Sequence, residues 1–293
     1  MKEPETGSGG LVGWRRITNI ARIALPVIVG LLVLYLGYHL FFRGLEQGLK
    51  WFFSKTNFTA SKVPFYAENL RLGAEITLKL TVISSVAGMF IGLIAGIARL
   101  SRRPLVRLPT QFYIWVIRGT PLLVQIWFAW RGLPVFIQPL WDEYLVPLGM
   151  PGFFDIYSPY WAAFLALSFN VAAYNAEVVR AGIQAIPKGQ WEAAKSLGMR
   201  PYQVMRFIVV PQAIKIVVPP LVNNVIALLK DTSLASVITV TELMLMSQRM
   251  ISNTFRPVEV LVAAATIYLF LTTVLTFFTD WLEREMGRRG ATA

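Results

Sequence analysis

Six stretches of this chain carry almost no charge over the length a bilayer demands, and that limits the possible folds more than any other feature. Uncharged runs cover residues 23–42, 80–98, 156–176 and 260–279, each nineteen to twenty-one residues long. At ~1.5 Å per residue, a helix of that length crosses a hydrocarbon core of ~30 Å. Two further runs, 108–130 and 207–229, are interrupted only by Arg118 and Lys215. The composition agrees: of 293 residues, 55% are hydrophobic and 15% charged, where a water-soluble domain carries ~25% charged residues. A soluble globule is excluded, and an all-α, polytopic membrane protein of about six spans is expected.

The absence of cysteine excludes a disulfide scaffold, a thiolate metal site and a cysteine nucleophile, and the single His39 cannot build a polyhistidine site. A net charge of +12 resembles a nucleic-acid footprint, but in a membrane chain the placement of each positive charge matters more than the sum. With the amino terminus inside, seventeen Lys and Arg fall on inner segments and nine on outer ones, with Lys79 and Arg118 inside spans. This bias predicts both termini in the cytoplasm and assigns the basic character to topology and anionic lipid, with no nucleic-acid partner. The run at 23–42 follows Arg15 and Arg16 but has no small-residue cleavage site, so it reads as a retained anchor.

Within the second span, roughly 68–98, Gly88, Gly92 and Gly96 share one helix ridge, where missing side chains admit another backbone. A neighbouring helix of the same chain and a second subunit fit that ridge equally well. In the third span, Arg118-Gly119-Thr120-Pro121 predicts a kink or break, because proline lacks an amide hydrogen and glycine weakens the turn before it. Arg118 then either reaches a carbonyl or the interface, or sits on a polar path through the bundle. In the fifth span, Pro211 and Pro219-Pro220 predict interrupted helix near mid-membrane, tolerable only against protein or a wet cavity. Polar Asn223, Asn224, Lys230, Asp231, Thr232 and Ser233 follow at once. Lys230 and Asp231 offer both signs of charge to a zwitterion, or pair with each other.

The segment after the fourth span is the most informative. Pro187 suits the first turn of a helix, Gly198 its C-terminal cap, and Pro201 blocks continuation. About three turns are boxed in, with Trp191, Ala194 and Leu197 as an apolar stripe and Lys188, Glu192 and Lys195 on other faces. A helix too short to be stable alone must dock on something, either the lipid headgroups or a cytoplasmic partner.

Here the residues resemble a known family. Glu192-Ala193-Ala194, Gly198 and Ile208-Val209-Val210-Pro211 resemble the EAA signature of permease subunits in ATP-binding-cassette (ABC) importers, with Val210 where that signature usually has leucine. Arg118-Gly119-Thr120-Pro121-Leu122-Leu123, the string from Ala173 to Ile183, Pro211-Gln212-Ala213, the string from Pro219 to Asn224 and that from Leu229 to Ile238 resemble the polar amino-acid branch of histidine, glutamine, glutamate, arginine and opine permeases. The resemblance spans roughly residues 68–286. It implies a type I ABC-importer transmembrane domain of five core helices, here with an extra amino-terminal transmembrane helix. Residues 1–67 would then hold the cytoplasmic amino terminus, that anchor and an outer linker, and 287–293 a cytoplasmic tail.

The resemblance further implies a multi-pass protein of a bacterial-type inner membrane and a pore formed with a second, identical or similar permease. Two ATPase subunits would sit beneath, and a periplasmic or surface amino-acid-binding protein would deliver cargo. The helix at 187–198 becomes a coupling helix, with Gly189, Gln190, Trp191, Glu192, Ala193, Ala194, Lys195 and Gly198 as the ATPase docking surface. Arg118, Asn223, Asn224, Lys230, Asp231, Thr232 and Ser233 become the substrate path. The chain lacks a phosphate-binding Gly-x-x-x-x-Gly-Lys-Ser/Thr loop. It is therefore expected to bind no cofactor, ATP and Mg belonging to partner subunits, and to be no enzyme itself. A membrane-embedded enzyme would need facing catalytic groups that the sequence does not provide. A passive channel shares the broken helices and polar path, but has no use for a docking helix.

Overall fold

A computed structural model describes residues 36–44, 46–48 and 63–288. The chain divides into two compact units, Met1–Ala67 and Glu68–Ala293. In the first, residues 36–44 and 46–48 are helical; most of the run at 23–42 lies outside the described residues. In the second, regular structure among the described residues is entirely helical.

Helix α1, Val63–Arg99, starts five residues before the span expected at roughly 68–98. Its inward face buries Leu70 and Leu80 but is otherwise rich in small and hydroxylated residues: Ala74, Thr77, Thr81, Ser84, Ser85 and Ala95 are buried, while Val82, Phe90, Ile94 and Ile97 point outward. Large apolar side chains outside and many small ones inside suit a helix in lipid, where association depends on close backbone packing rather than on escape from water.

The third apolar run is two helices. Helix α2, Pro104–Gly119, ends at the predicted break, and α3 starts at Leu122 and continues through a π-helical turn, Phe128–Gly132, into α4, Leu133–Tyr144. The two arms meet at 110°. Pro121 has no N–H to give the Ile117 carbonyl, and the Gln125 side chain replaces it: its Nε2 donates to Ile117 O at 2.7 Å and to Thr120 Oγ1 at 2.9 Å. The corner is thus hydrogen-bonded rather than loose.

Helix α5, Pro159–Gln184, is the most enclosed element, with thirteen of its residues buried. It leads into the short α6, Lys188–Ser196. The fifth run follows as one continuous span, Pro201–Ile238. The expected interruption at Pro219-Pro220 is absent: α7 runs unbroken from Val210 to Asp231 with both prolines inside it. Proline's fixed φ is itself helical, so the pair removes two donors without unwinding the chain. The carbonyls deprived belong to Lys215 and Ile216, both exposed residues. Departures from α geometry fall instead at the two ends, as a π-turn at Val204–Val209 and a 3-10 turn at Thr232–Ile238. Helices α8, Leu243–Thr254, and α9, Pro257–Arg288, complete the unit. Four helices among the described residues are long and apolar enough to span a membrane, five if the bent pair forms one span.

Fully buried Glu242 ties three of these helices together. As N-cap of α8 its carboxylate accepts the N–H groups of Met244 at 2.9 Å and Leu245 at 2.7 Å, and the Tyr268 hydroxyl of α9 at 3.0 Å. Beside it, the Leu243 N–H donates to Thr77 Oγ1 of α1. Burial pushes the Glu242 carboxyl up to about 7, against the opposing pull of those donors.

Candidate functional site

The short helix α6 has two unlike faces. Its inner face packs Ala194 and Trp191 against Ile186, Val204, Val209 and Ala213. At its end the Gly198 N–H donates to Lys195 O at 2.9 Å and the Met199 N–H to Ala194 O at 3.2 Å, with Gly198 at φ +77°, which makes a Schellman cap. Leu197 departs from the expected apolar stripe: it is the capping residue and stands 82% exposed. The outer face carries Gly189, Gln190, Glu192, Ala193 and Lys195, all exposed. A side chain added at Gly189 or Gly198 would meet nothing within 4 Å. The result is a rigid nine-residue helix, fixed from within and bare on its other side.

The candidate substrate-path residues do not converge as a set. Asn224 and Asp231 line a cavity of 320 Å³ together with Thr120, Pro121, Asn170 and Tyr174. Asn224 Nδ2 also donates to Asn175 Oδ1 at 2.8 Å, which anchors α7 to α5. Thr232 is buried and its hydroxyl donates to Leu229 O, while the Ser233 hydroxyl donates to Lys230 O; both finish the C-terminus of α7. Asn223 and Lys230 are exposed and are not among the residues lining this cavity. Arg118 lies just beyond it, with its guanidinium 5.3 Å from the Tyr174 ring. Thr120, Asn170, Tyr174 and Gln125 were not singled out from the sequence. Asn170 Nδ2 donates to Gln125 Oε1 at 2.9 Å, so the corner between α2 and α3 is fastened to α5 where the cavity opens. The available signal was a pair of asparagines, Asn170 and Asn175, inside a largely apolar span.

The ridge of Gly88, Gly92 and Gly96 meets α5 of the same chain. A Cβ at Gly92 would stand 2.6 Å from Asn175 Cβ and 2.9 Å from Ala172 O, and one at Gly96 2.8 Å from Ala176 O. Below the cavity, Glu177 of α5 is contacted by Arg99 of α1, by Arg180 at 2.8 Å and by Arg118 at 3.8 Å. Among the described residues no group of three or more His, Asp or Glu side chains is placed to hold a metal ion.

A membrane unit of this helical order, with a short helix packed on one face and bare on the other and a polar cavity beside a broken span, is that of a transport subunit. The chain belongs to the family described as binding-protein-dependent transport system inner membrane component, which it matches over residues 88–288. It is 39% identical over 226 residues to the octopine transport system permease protein of Rhizobium meliloti, covering 75% of this chain and 89% of that one. It is 36% identical over 214 residues to the glutamine transport system permease protein of Escherichia coli, covering 73% and 91%. Among solved structures, an amino acid ABC transporter crystallised with histidines shares 35% identity at a TM-score of 0.66, over 76% of this chain and 97% of that chain. The inward-facing MetNI methionine ABC transporter, at 18% identity and a TM-score of 0.61, shares the fold.

Proposed function

We propose that this chain is the permease subunit of an ATP-driven amino-acid importer. It forms the pore with a second permease and is moved by two ATPase subunits that grip α6. The observation that carries this reading is the two-faced α6, packed on its own chain through Ala194 and Trp191 and bare at Gly189, Gln190, Glu192, Ala193 and Lys195. A helix capped and packed this way transmits displacement as a body, and α5 and the 201–238 span leave its two ends directly. The kinship with octopine, arginine and glutamine permeases supports an amino-acid cargo delivered by an external binding protein.

In this reading the 320 Å³ cavity is the cargo chamber, with Asn170, Asn224, Thr120 and the Tyr174 hydroxyl as neutral hydrogen-bonding groups and Asp231 as partner for an ammonium. ATP and Mg sit in the partner subunits, both termini face the cytoplasm, and residues 68–286 form the transport domain behind an amino-terminal anchor. The test is ATP-dependent uptake by the purified complex in proteoliposomes across a panel of amino acids. Wild type accumulates at least one of them, while Gly198→Asp inserts and assembles but hydrolyses ATP without uptake. Uphill accumulation with the ATPase subunits absent, or full uptake by that variant, overturns the reading.

A further inference from the structure

Three guanidiniums converge on one carboxylate at the lower end of α5. Arg180 is satisfied internally: its Nε and Nη2 donate to Glu177 Oε2 and its Nη1 to Gln184. Arg99 reaches the other Glu177 oxygen. Arg118 stands 3.8 Å from that same oxygen, too far for a hydrogen bond, and among the described residues nothing accepts from its guanidinium. Its side chain is 44% exposed. A guanidinium presents five donors and a carboxylate about four acceptor sites, so Glu177 cannot serve three arginines, and the cluster keeps two positive charges in excess.

These groups face a space. Arg99, Arg118, Glu177, Gln111, Trp115 and Gly119 line a pocket of 380 Å³. It lies across the 119–121 break from the upper cavity, which Thr120, Pro121 and Tyr174 line. From Val171, in the wall of the upper cavity, to Glu177 is about 9 Å along α5, toward α6.

We infer that this lower pocket is an oxyanion site, recognising a carboxylate or phosphate through Arg118 and Arg99, with Glu177 as the internal competitor that keeps binding weak. Its occupant is the α-carboxylate of the travelling amino acid, held after leaving the upper cavity. That identity rests on the import reading; the site itself does not. The phosphate of an acidic lipid is the other source of the same chemistry.

The test is peptide-resolved modification of the purified complex by an arginine-selective dicarbonyl. Arg118 is read against Arg102 and Arg103, which are exposed and outside the pocket. Inorganic phosphate at twice its Kd slows modification of Arg118 about threefold and leaves the two controls unchanged. Arg99→Gln, which keeps the reporter, removes that protection. An imported amino acid protects where its decarboxylated amine does not if cargo is the occupant. Protection seen only in phosphatidylglycerol nanodiscs, and not in phosphatidylcholine, overturns the cargo assignment in favour of lipid. Equal reactivity of Arg118 under every condition overturns the site, even if the complex imports normally. Protection by phosphate in a complex that imports no amino acid leaves the site standing and defeats the import reading.

Discussion

The glycines of α1 and those around α6 are the same residue used for opposite ends. Gly88, Gly92 and Gly96 leave no room for a single added carbon, because the backbone and side chains of α5 fill the space. Gly189 and Gly198 have open space where a side chain would go. The first region is closed on itself, and its residues are explained by contacts within the chain. In the second only the inner face is explained that way, and the outer face is exposed. At Gly189 neither packing nor a positive φ within the chain requires glycine. Gly198 is intermediate, since its positive φ suits glycine whatever docks there.

Substitution separates the two regions most sharply at the ridge. Gly92→Leu forces apart two backbones and should abolish folded, extractable protein; even Gly92→Ala should cost about 1–3 kcal/mol and lower the melting temperature. Normal expression and melting of Gly92→Leu would break the contrast. Glutamates repeat the comparison. Glu242 is buried and Glu192 exposed on the outer face of α6. A carboxyl raised from 4.5 to about 7 in the folded state binds its proton more tightly there than when unfolded. Stability is therefore greatest below about pH 4.5 and falls as pH rises to about 7, by about 3 kcal/mol at most. Thermal melts between pH 5 and 8 should show this slope; Glu242→Gln should flatten it, while Glu192→Gln should leave it intact.

A smaller effect is expected at the corner. Gln125→Leu strands the Ile117 carbonyl and should destabilise by about 1–3 kcal/mol, read as a lower denaturation midpoint. The smallest effect on stability, and the most useful, belongs to Gly189→Trp. Its melting temperature should match wild type, yet co-purification with ATPase subunits should weaken by at least about tenfold, or ~1.4 kcal/mol. A fall in melting temperature instead would mean that this face serves the chain itself.

Much of the architecture was legible because lipid imposes a length. The runs at 80–98 and 260–279 lie within long helices and 159–176 of the run at 156–176 lies within another, and the break at Arg118-Gly119-Thr120-Pro121 falls where proline and glycine predict it. Proline misled at Pro219-Pro220, because sequence shows the lost donors but not whether the helix can continue without them. Polar residues clustered in sequence were an incomplete guide to the cavity. Thr232 and Ser233 turn their hydroxyls back to α7 carbonyls, whereas Asn170 and Tyr174, from the mostly apolar run 156–176, line the wall. The Arg180–Glu177 pair follows from i,i+3 spacing on α5, but the arrival of Arg99 and Arg118 depends on the crossing of three helices, which no spacing within one segment encodes.

The Gln125 amide makes the angle between α2 and α3 a fixed bracket. Straightening it would withdraw the Gln125 donor from the Ile117 carbonyl. Any rearrangement of the pore should therefore carry the elbow along intact, with Thr120 on one side and Arg118 on the other keeping their separation while their surroundings slide past.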